Sequence, residues 1–210
     1  TKVAIASPAV SALRSLFRVA GKGIDDSVLS GAARIALGFQ ALFNQSDSIA
    51  ITRGIRSENG GRYWEDALDY SLMGNIQAMM DEYMHVLYES LGLSGKTTDK
   101  IANDISEEIF GALALRSVPL YFDELVIDPA MTKVEPKRHS ISCRFALRFG
   151  DSKNEEGEEE TRSEQVRSSF NSPFRPFILA TTSVGQEGLD FHQYCHDIFH
   201  WNLPSNPVDL

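Results

Sequence analysis

The sequence of 210 residues is poor in cysteine, in long apolar runs and in positive charge. Its two cysteines, Cys143 and Cys195, lie far apart and form no C-x-x-C pair, which excludes a disulfide framework and favours a reducing compartment. No apolar stretch approaches the roughly 18 residues that cross a bilayer. The sequence therefore predicts a soluble, cytoplasmic protein without a membrane partner, with 42% apolar residues to form its core.

The formal net charge of -9 excludes a chain whose whole surface grips nucleic acid, because that binding depends on lysine and arginine. Part of the negative charge is local, since residues 155–160 read Glu-Glu-Gly-Glu-Glu-Glu, a run typical of a solvated loop. The chain begins at Thr1 and stops at Leu210 in mid-pattern. We therefore expect it to be a segment of a longer protein.

Residues 1–117 have the apolar periodicity of helices. Ser7 and Pro8 predict the cap and first residue of one helix, which Gly21 ends. Further helices are predicted over about 26–43, 47–55, 75–91 and 97–116. The inner faces of the three clearest helices are predicted to be Val10, Leu13, Leu16, Phe17 and Ala20; Ile76, Met80, Tyr83, Met84, Leu87 and Leu91; and Ile101, Ile105, Ile109, Ala112 and Leu113.

The pattern changes after Arg116 to short apolar runs bounded by proline and glycine. A capping box at Thr161 and Glu164 predicts a helix through Phe170, with Val166 on its inner face. This order of strands and helix predicts a parallel α/β layer and divides the chain into parts 1–117 and 118–210. The predicted strands are 118–127, 140–149, 177–181 and 196–201.

The most informative pattern is an apolar run followed by Thr181, Thr182 and Ser183, and then by a glycine-bearing turn that ends in Gly188 and Asp190. A strand that leads into a hydroxyl-lined loop and a helix start collects N–H donors where a phosphate can bind. The same pattern also fits an ordinary strand-to-helix connection, in which the hydroxyls cap the turn. Chemistry alone leaves both interpretations open.

The run from Ile178 to Asp190 resembles motif V of superfamily-two helicases and Swi/Snf-type translocases: an apolar strand, threonine, small residues and Gly-Leu-Asp. Residues 162–171 and 200–207 resemble the helix before that motif and the strand and loop after it. The resemblance covers about residues 139–210 and implies the middle of a second RecA-like lobe. The fold class expected is α/β, with an N-terminal helical bundle, an accessory or inserted region, followed by a partial RecA-like parallel lobe.

The resemblance implies roles for individual residues. Thr181, Thr182 and Ser183 would contact the backbone of DNA or RNA, where hydroxyl and N–H groups bind phosphate without reading bases. Gly188 and Asp190 would bind ATP, with Asp190 near the ribose. The Mg²⁺ ligands would come from the first RecA-like lobe, a partner outside this chain.

Several catalytic motifs are absent from the sequence. Motif VI, a Walker A loop and an Asp-Glu-x-His pair do not occur, so the chain alone is predicted to be inactive as an ATPase. Gly95-Lys96-Thr97 lacks the first Walker A glycine and follows a helix, so we interpret it as a helix end and the next N-cap. No metal site is predicted, because His192, Cys195, His196 and His200 match no zinc spacing and Glu82-x-x-His85 has no second copy.

The alternative function belongs to another class: a non-catalytic helical interaction module with an α/β appendage, which binds a protein partner through its helices. The net acidity and the absent motifs agree with both functions. A parent sequence with a Walker A loop before Thr1 and a Gly-Arg-x-x-Arg segment after Leu210 would exclude the module.

Overall fold

The fold is taken from a computed structural model that describes residues 1–21, 23–55, 62–115, 118–127, 134–143, 164–174, 178, 193–197 and 199. These residues contain seven bounded helices, two strands and a further helical stretch at 164–170. The bounded elements are α1 (Lys2–Ala6), α2 (Pro8–Ala20), α3 (Asp26–Phe43), α4 (Ser46–Ile55), α5 (Tyr63–Met73), α6 (Ile76–Ser90), α7 (Thr98–Leu113), β1 (Val118–Ile127) and β2 (Val134–Cys143). The described part of the chain is thus mostly helical, with a small sheet.

The helix ends follow from local chemistry. Pro8 is the first residue of α2, and Gly21 ends that helix in the left-handed conformation at φ 73°, which glycine adopts without strain. The Asp25 carboxylate accepts a hydrogen bond from the Val28 N–H at the start of α3, at 3.0 Å. The predicted helices are confirmed at α2, α3, α4, α6 and α7, whereas α1 and α5 were not predicted.

Helix α3 packs against α2 and α7. Two glycines on α3, Gly31 and Gly38, lie two turns apart on the face that meets α7. A Cβ atom at Gly31 would lie 3.1 Å from the carbonyl oxygen of Ala102, and one at Gly38 would lie 3.2 Å from the Cβ of Leu113. The absence of side chains at these two positions therefore allows the two helices to approach closely.

The predicted inner faces of α6 and α7 are largely confirmed. Every predicted inner residue of α7 is buried, and so are the predicted residues of α6 from Ile76 to Leu87, whereas Leu91 is 42% exposed. The predicted face of α2 is wrong in part, because Phe17 is 43% exposed while Ser11 and Ser15 are buried. Ser15, which bonds to Gln77 and Asp81, therefore lies on the face of α2 that meets α6.

The sheet is an antiparallel pair, in which Val118 lies opposite Cys143 and Ile127 opposite Val134. The predicted strand at 118–127 is confirmed, but the second strand begins at Val134 instead of Ser140. Only residues 128–133 connect the two strands, too few for the crossover of a dozen or more residues that parallel strands require. The predicted parallel order is therefore wrong for this pair, and a RecA-like lobe is not among the described elements.

Two further strand predictions are contradicted where residues are described. Ile178, predicted in a buried strand, is 86% exposed and is not in a strand, and His196, Asp197 and Phe199 are not in a strand either. An apolar strand is buried only when neighbouring strands and helices cover it. Among the described residues, β1 and β2 pair only with each other, so no described strand covers Ile178.

Candidate functional site

The five residues predicted to bind nucleic acid or ATP, Thr181, Thr182, Ser183, Gly188 and Asp190, lie outside the described residues. Their roles remain predictions. The structure does describe the chain on either side of them, at residues 164–174 and 193–197. These flanking residues define how the candidate site is attached to the helical bundle.

The stretch before the site, residues 164–174, packs on the bundle and is called the C-terminal anchor below. Its apolar side chains Val166, Phe170 and Phe174 are buried, which confirms the predicted inner face of the helix through Phe170. The Ser169 hydroxyl donates a hydrogen bond of 3.0 Å to the carbonyl oxygen of Ala112, at the end of α7. Burial of each large apolar side chain is worth about 1.5 to 3 kcal/mol, so the anchor is held firmly.

The anchor ends in a turn whose polar groups have partners. The Ser172 hydroxyl donates to the carbonyl oxygen of Ser169 at 2.6 Å and accepts from the N–H of Phe174 at 3.2 Å. The N–H of Asn171 donates to the carbonyl oxygen of Arg167 at 2.8 Å. Because these groups are satisfied internally, the turn can be buried and can hold Phe174 in one position.

Four aromatic rings, called the aromatic junction, pack in a chain around Phe174 and Tyr83 of α6: Phe39, Phe174, Tyr83 and Tyr194. The ring of Phe174 lies edge-on to Phe39 at 5.4 Å and to Tyr83 at 5.6 Å between centroids. Tyr194, which follows the candidate site in sequence, lies edge-on to the same Tyr83 at 6.1 Å. These are favourable aromatic geometries, each worth about 0.5 to 1.5 kcal/mol beyond area burial.

A hydrogen bond also joins the two flanks of the candidate site to each other. The N–H of Gln193 donates to the side-chain oxygen of Asn171 at 3.3 Å. The residues before and after the candidate site therefore lie against each other and against one side chain, Tyr83. Helical periodicity predicts Tyr83 in the core but does not reveal Phe174 or Tyr194, because a contact between positions so distant in one sequence leaves no periodic pattern.

The surroundings of Tyr83 and Tyr194 in the aromatic junction favour the neutral form of both phenol groups. Burial raises the pKa of Tyr83 well above its ordinary value, and the Glu108 carboxylate and Tyr194 raise it further. Burial also raises the pKa of Tyr194, with a smaller contribution from the carboxylate of Glu82. A phenolate at either position would lie next to negative charge, so ionisation works against the folded state.

Alkaline unfolding should therefore depend on Tyr83. Above pH ~10 the unfolded chain loses this phenol proton while the folded chain keeps it, so the free energy of unfolding falls as pH rises, by at most ~1.4 kcal/mol per pH unit. Below pH ~10 both states hold the proton and the stability is fully present. We expect Tyr83→Phe to reduce the slope of stability between pH 10 and 12, measured by urea unfolding. Tyr121→Phe, at an exposed tyrosine, is the control, and an equal effect of the two variants would contradict the assignment.

A polar cluster joins α2 to α6 on another side of the bundle. The Ser15 hydroxyl donates to Asp81 at 2.7 Å, and the Gln77 amide donates to Ser15 at 2.9 Å and to Asp81 at 3.1 Å. Arg18 forms an ion pair with the other oxygen of the same carboxylate. Because the Ser15 hydroxyl and the Asp81 carboxylate are both used in contacts between these two helices, we assign the cluster the structural role of fixing α2 against α6.

The Gly-Lys-Thr sequence lies in a connection between two helices. Gly92, at φ 61°, follows the end of α6, its N–H donates to the Glu89 carbonyl, and the Leu93 N–H donates to the Tyr88 carbonyl. This is the hydrogen-bond pattern of a Schellman helix end. The Thr97 hydroxyl accepts from the Lys100 N–H at 3.3 Å and caps α7. The interpretation of this segment as a helix end and an N-cap is confirmed.

The residues considered for metal binding are placed only in part. His192 and His200 lie outside the described residues, within which no group of three or more His, Cys, Asp or Glu side chains is arranged to hold a metal ion. His85 lies 3.3 Å from Glu89, one turn further along α6, and both side chains are exposed. This pair is an ordinary surface contact between neighbouring helical turns.

Comparison with known proteins adds no identification, because the chain matches no family description, no curated protein and no solved structure. Of the described helices, none combines the length and apolar character needed to cross a membrane. The class that the described residues define is a helical bundle with an antiparallel strand pair. The candidate site is a segment whose two flanks are attached to that bundle at Tyr83.

Proposed function

We propose that the chain is part of an ATP-dependent nucleic-acid helicase or translocase that acts in the cytoplasm. In this proposal residues 118–210 belong to the second RecA-like lobe and residues 1–117 form a helical accessory region. ATP, with Mg²⁺ held by the first lobe, binds between the two lobes of the intact parent. The motif V resemblance of residues 178–190 is the main support.

Within the proposed site, each residue type has a physical role. Thr181, Thr182 and Ser183 offer hydroxyl and N–H groups to the phosphates of DNA or RNA, which fixes the strand without selecting a sequence. Gly188 allows the backbone to approach the nucleotide closely, because it has no side chain. Asp190 accepts a hydrogen bond from the ribose and so links nucleotide state to the strand-binding residues.

The single structural observation that carries the proposal is the attachment of both flanks of this run at Tyr83. A loop that links nucleotide binding to strand binding transmits motion only when both of its ends are attached to a rigid body. Phe174 and Tyr194 supply that connection, since each packs against the same ring of α6. In the proposed mechanism the bundle and the motif V run therefore move as one unit when ATP is hydrolysed.

Two exposed apolar side chains require the rest of the proposed lobe to cover them. Ile178 is 86% exposed and Phe199 is 91% exposed, although both are large and apolar. A RecA-like lobe buries the apolar residues of its strands under helices on both faces of the sheet. The proposed parent would cover these two residues with the rest of the lobe.

The proposal is tested in the intact parent protein by replacing Asp190. We expect Asp190→Ala to reduce nucleic-acid-stimulated ATP turnover by about 10- to 100-fold, because loss of one hydrogen bond to a charged group costs about 1.5 to 3 kcal/mol. The matched control is Asp197→Ala, which removes an exposed carboxylate close by in sequence. Unchanged turnover in Asp190→Ala, or an equal loss in both variants with an intact fold, would overturn the role of Asp190.

The alternative, a non-catalytic interaction module, is favoured by one observation. On α5, Trp64, Leu72 and Met73 are exposed, and exposed apolar side chains are typical of protein-binding surfaces when they form a patch. The same experiment separates the two functions. A parent protein without nucleic-acid-stimulated ATP turnover would favour the module over the helicase.

A further inference from the structure

An apolar cavity lies beside the aromatic junction. It has a volume of about 230 Å³, and its walls come from α3, α4, α5, the start of α6 and the end of the C-terminal anchor. Phe39 and Phe174 of the aromatic junction form part of its lining. An occupant of the cavity would therefore touch the ring that attaches the anchor to the bundle.

Four residues of the lining carry hydroxyls, Ser48, Thr52, Tyr70 and Ser71, and those of Thr52 and Ser71 already donate to backbone carbonyls. The Thr52 hydroxyl donates to the carbonyl oxygen of Ser48 at 3.0 Å, and the Ser71 hydroxyl donates to that of Ala67 at 2.8 Å. No lining residue is an Asp, Glu, Lys, Arg or His. A charged ligand would lose its hydration here without gaining a countercharge, so the cavity favours uncharged, largely apolar occupants.

The volume sets the size of the occupant. A dry apolar cavity of about 150 Å³ in another protein is large enough to bind benzene. The present cavity is larger and has aromatic walls, which favour ring–ring contact. A peptide would bring N–H and C=O groups that need partners, whereas a small apolar molecule needs none.

We propose that this cavity is a binding site for a small uncharged molecule with one or two aromatic rings. The occupant packs against Phe39 and Phe174 and fills the space under Thr52 and Ser71. Because it contacts Phe174, it stabilises the packing of the C-terminal anchor on the bundle. The site is independent of the function proposed for residues 181–190.

The test compares toluene with benzoate on the whole 210-residue chain. Both carry one ring, but benzoate adds a charge that the cavity cannot accommodate. We expect toluene at ten times its Kd to raise the unfolding temperature by about 3 to 6 °C in a saturable way, and benzoate to have no effect. In fluorophenylalanine-labelled chain, toluene should also move the ¹⁹F signal of Phe174, assigned with Phe174→Leu.

Cavity-filling variants locate the site. Thr52→Leu and Ser71→Leu each place extra carbon in the cavity and should abolish the toluene shift, whereas Ala50→Leu, on the exposed face of α4, should retain it. The absence of a saturable toluene shift in the unaltered chain would overturn the proposal, whatever the variants do. An equal benzoate shift, or a full toluene shift in a folded filled variant, would also overturn it.

Discussion

Phe174→Ala is expected to lower the free energy of unfolding of the chain by about 3 to 5 kcal/mol. The ring is only 6% exposed and lies edge-on to both Phe39 and Tyr83. Its removal loses the burial of the ring and both aromatic contacts, and it enlarges the adjoining apolar cavity. Urea unfolding followed by circular dichroism measures the change.

The matched control for this prediction is Phe199→Ala. Phe199 is also a phenylalanine of the C-terminal part, but it is 91% exposed, so its loss should change stability by less than ~0.5 kcal/mol. Equal effects of the two substitutions would show that Phe174 does not hold the anchor. A loss of stability in Phe174→Ala but not in Phe199→Ala would agree with the packing of Phe174 in the aromatic junction.

Gly38→Leu is expected to have the second largest effect on stability, a loss of about 2 to 3 kcal/mol. The first carbon of the new side chain would lie 3.1 Å from the Cδ1 of Leu113 and 3.5 Å from the Cα of Phe110. The Cβ of Leu113, 3.2 Å away, cannot rotate aside as the end of a side chain can, so α7 must shift to make room for the leucine. Leucine favours helix over glycine by up to ~1 kcal/mol, which offsets only part of the clash.

Gly111→Leu on α7 separates the clash from helix propensity. In the described part of the chain, no atom beyond its own helical neighbourhood lies within 4 Å of a Cβ built at Gly111. The substitution there should therefore be neutral or stabilising, since only the propensity gain remains. Thermal unfolding of the two variants gives the comparison. A Gly38→Leu chain as stable as the Gly111→Leu chain would contradict the close packing of α3 on α7.

Sequence periodicity predicts the helices whose inner faces are mostly apolar. On α7 the isoleucines at 101, 105 and 109 recur every four residues, and all three are buried. Such a helix is defined by its own pattern, because the hydrophobic stripe alone determines which face turns inward.

The face of α2 could not be predicted in this way. Ser15 is buried because Gln77 and Asp81 on α6 satisfy its hydroxyl, and these partners lie far away in sequence. The apolar pattern alone assigns Phe17 to the core in its place. Helix α5 was missed for the same reason, since it buries Asp66 and Ser71 while Trp64 is exposed.

The pairing of the strands and the attachment of the candidate site could not be predicted, because both depend on contacts between residues that are distant in sequence. The strand at Val134 could not be predicted, because Pro136 is typical of a strand boundary, although proline is accepted in a strand whose N–H position faces outward. The convergence of Phe174 and Tyr194 on Tyr83 has no counterpart in local sequence pattern. Local chemistry predicted which residues could be functional, but not where the chain attaches them.

The attachment at Tyr83 is tested most directly by proton NMR of the chain, through nuclear Overhauser contacts between assigned aromatic rings. The ring of Tyr83 should show contacts to Phe174 and to Tyr194, whose centroids lie 5.6 and 6.1 Å away. The pair Phe39 and Phe43 on α3, at 6.3 Å, is the internal reference. Observation of all three contacts is the predicted result. A reference contact without either contact to Tyr83 would contradict the attachment of both flanks of the candidate site to the bundle.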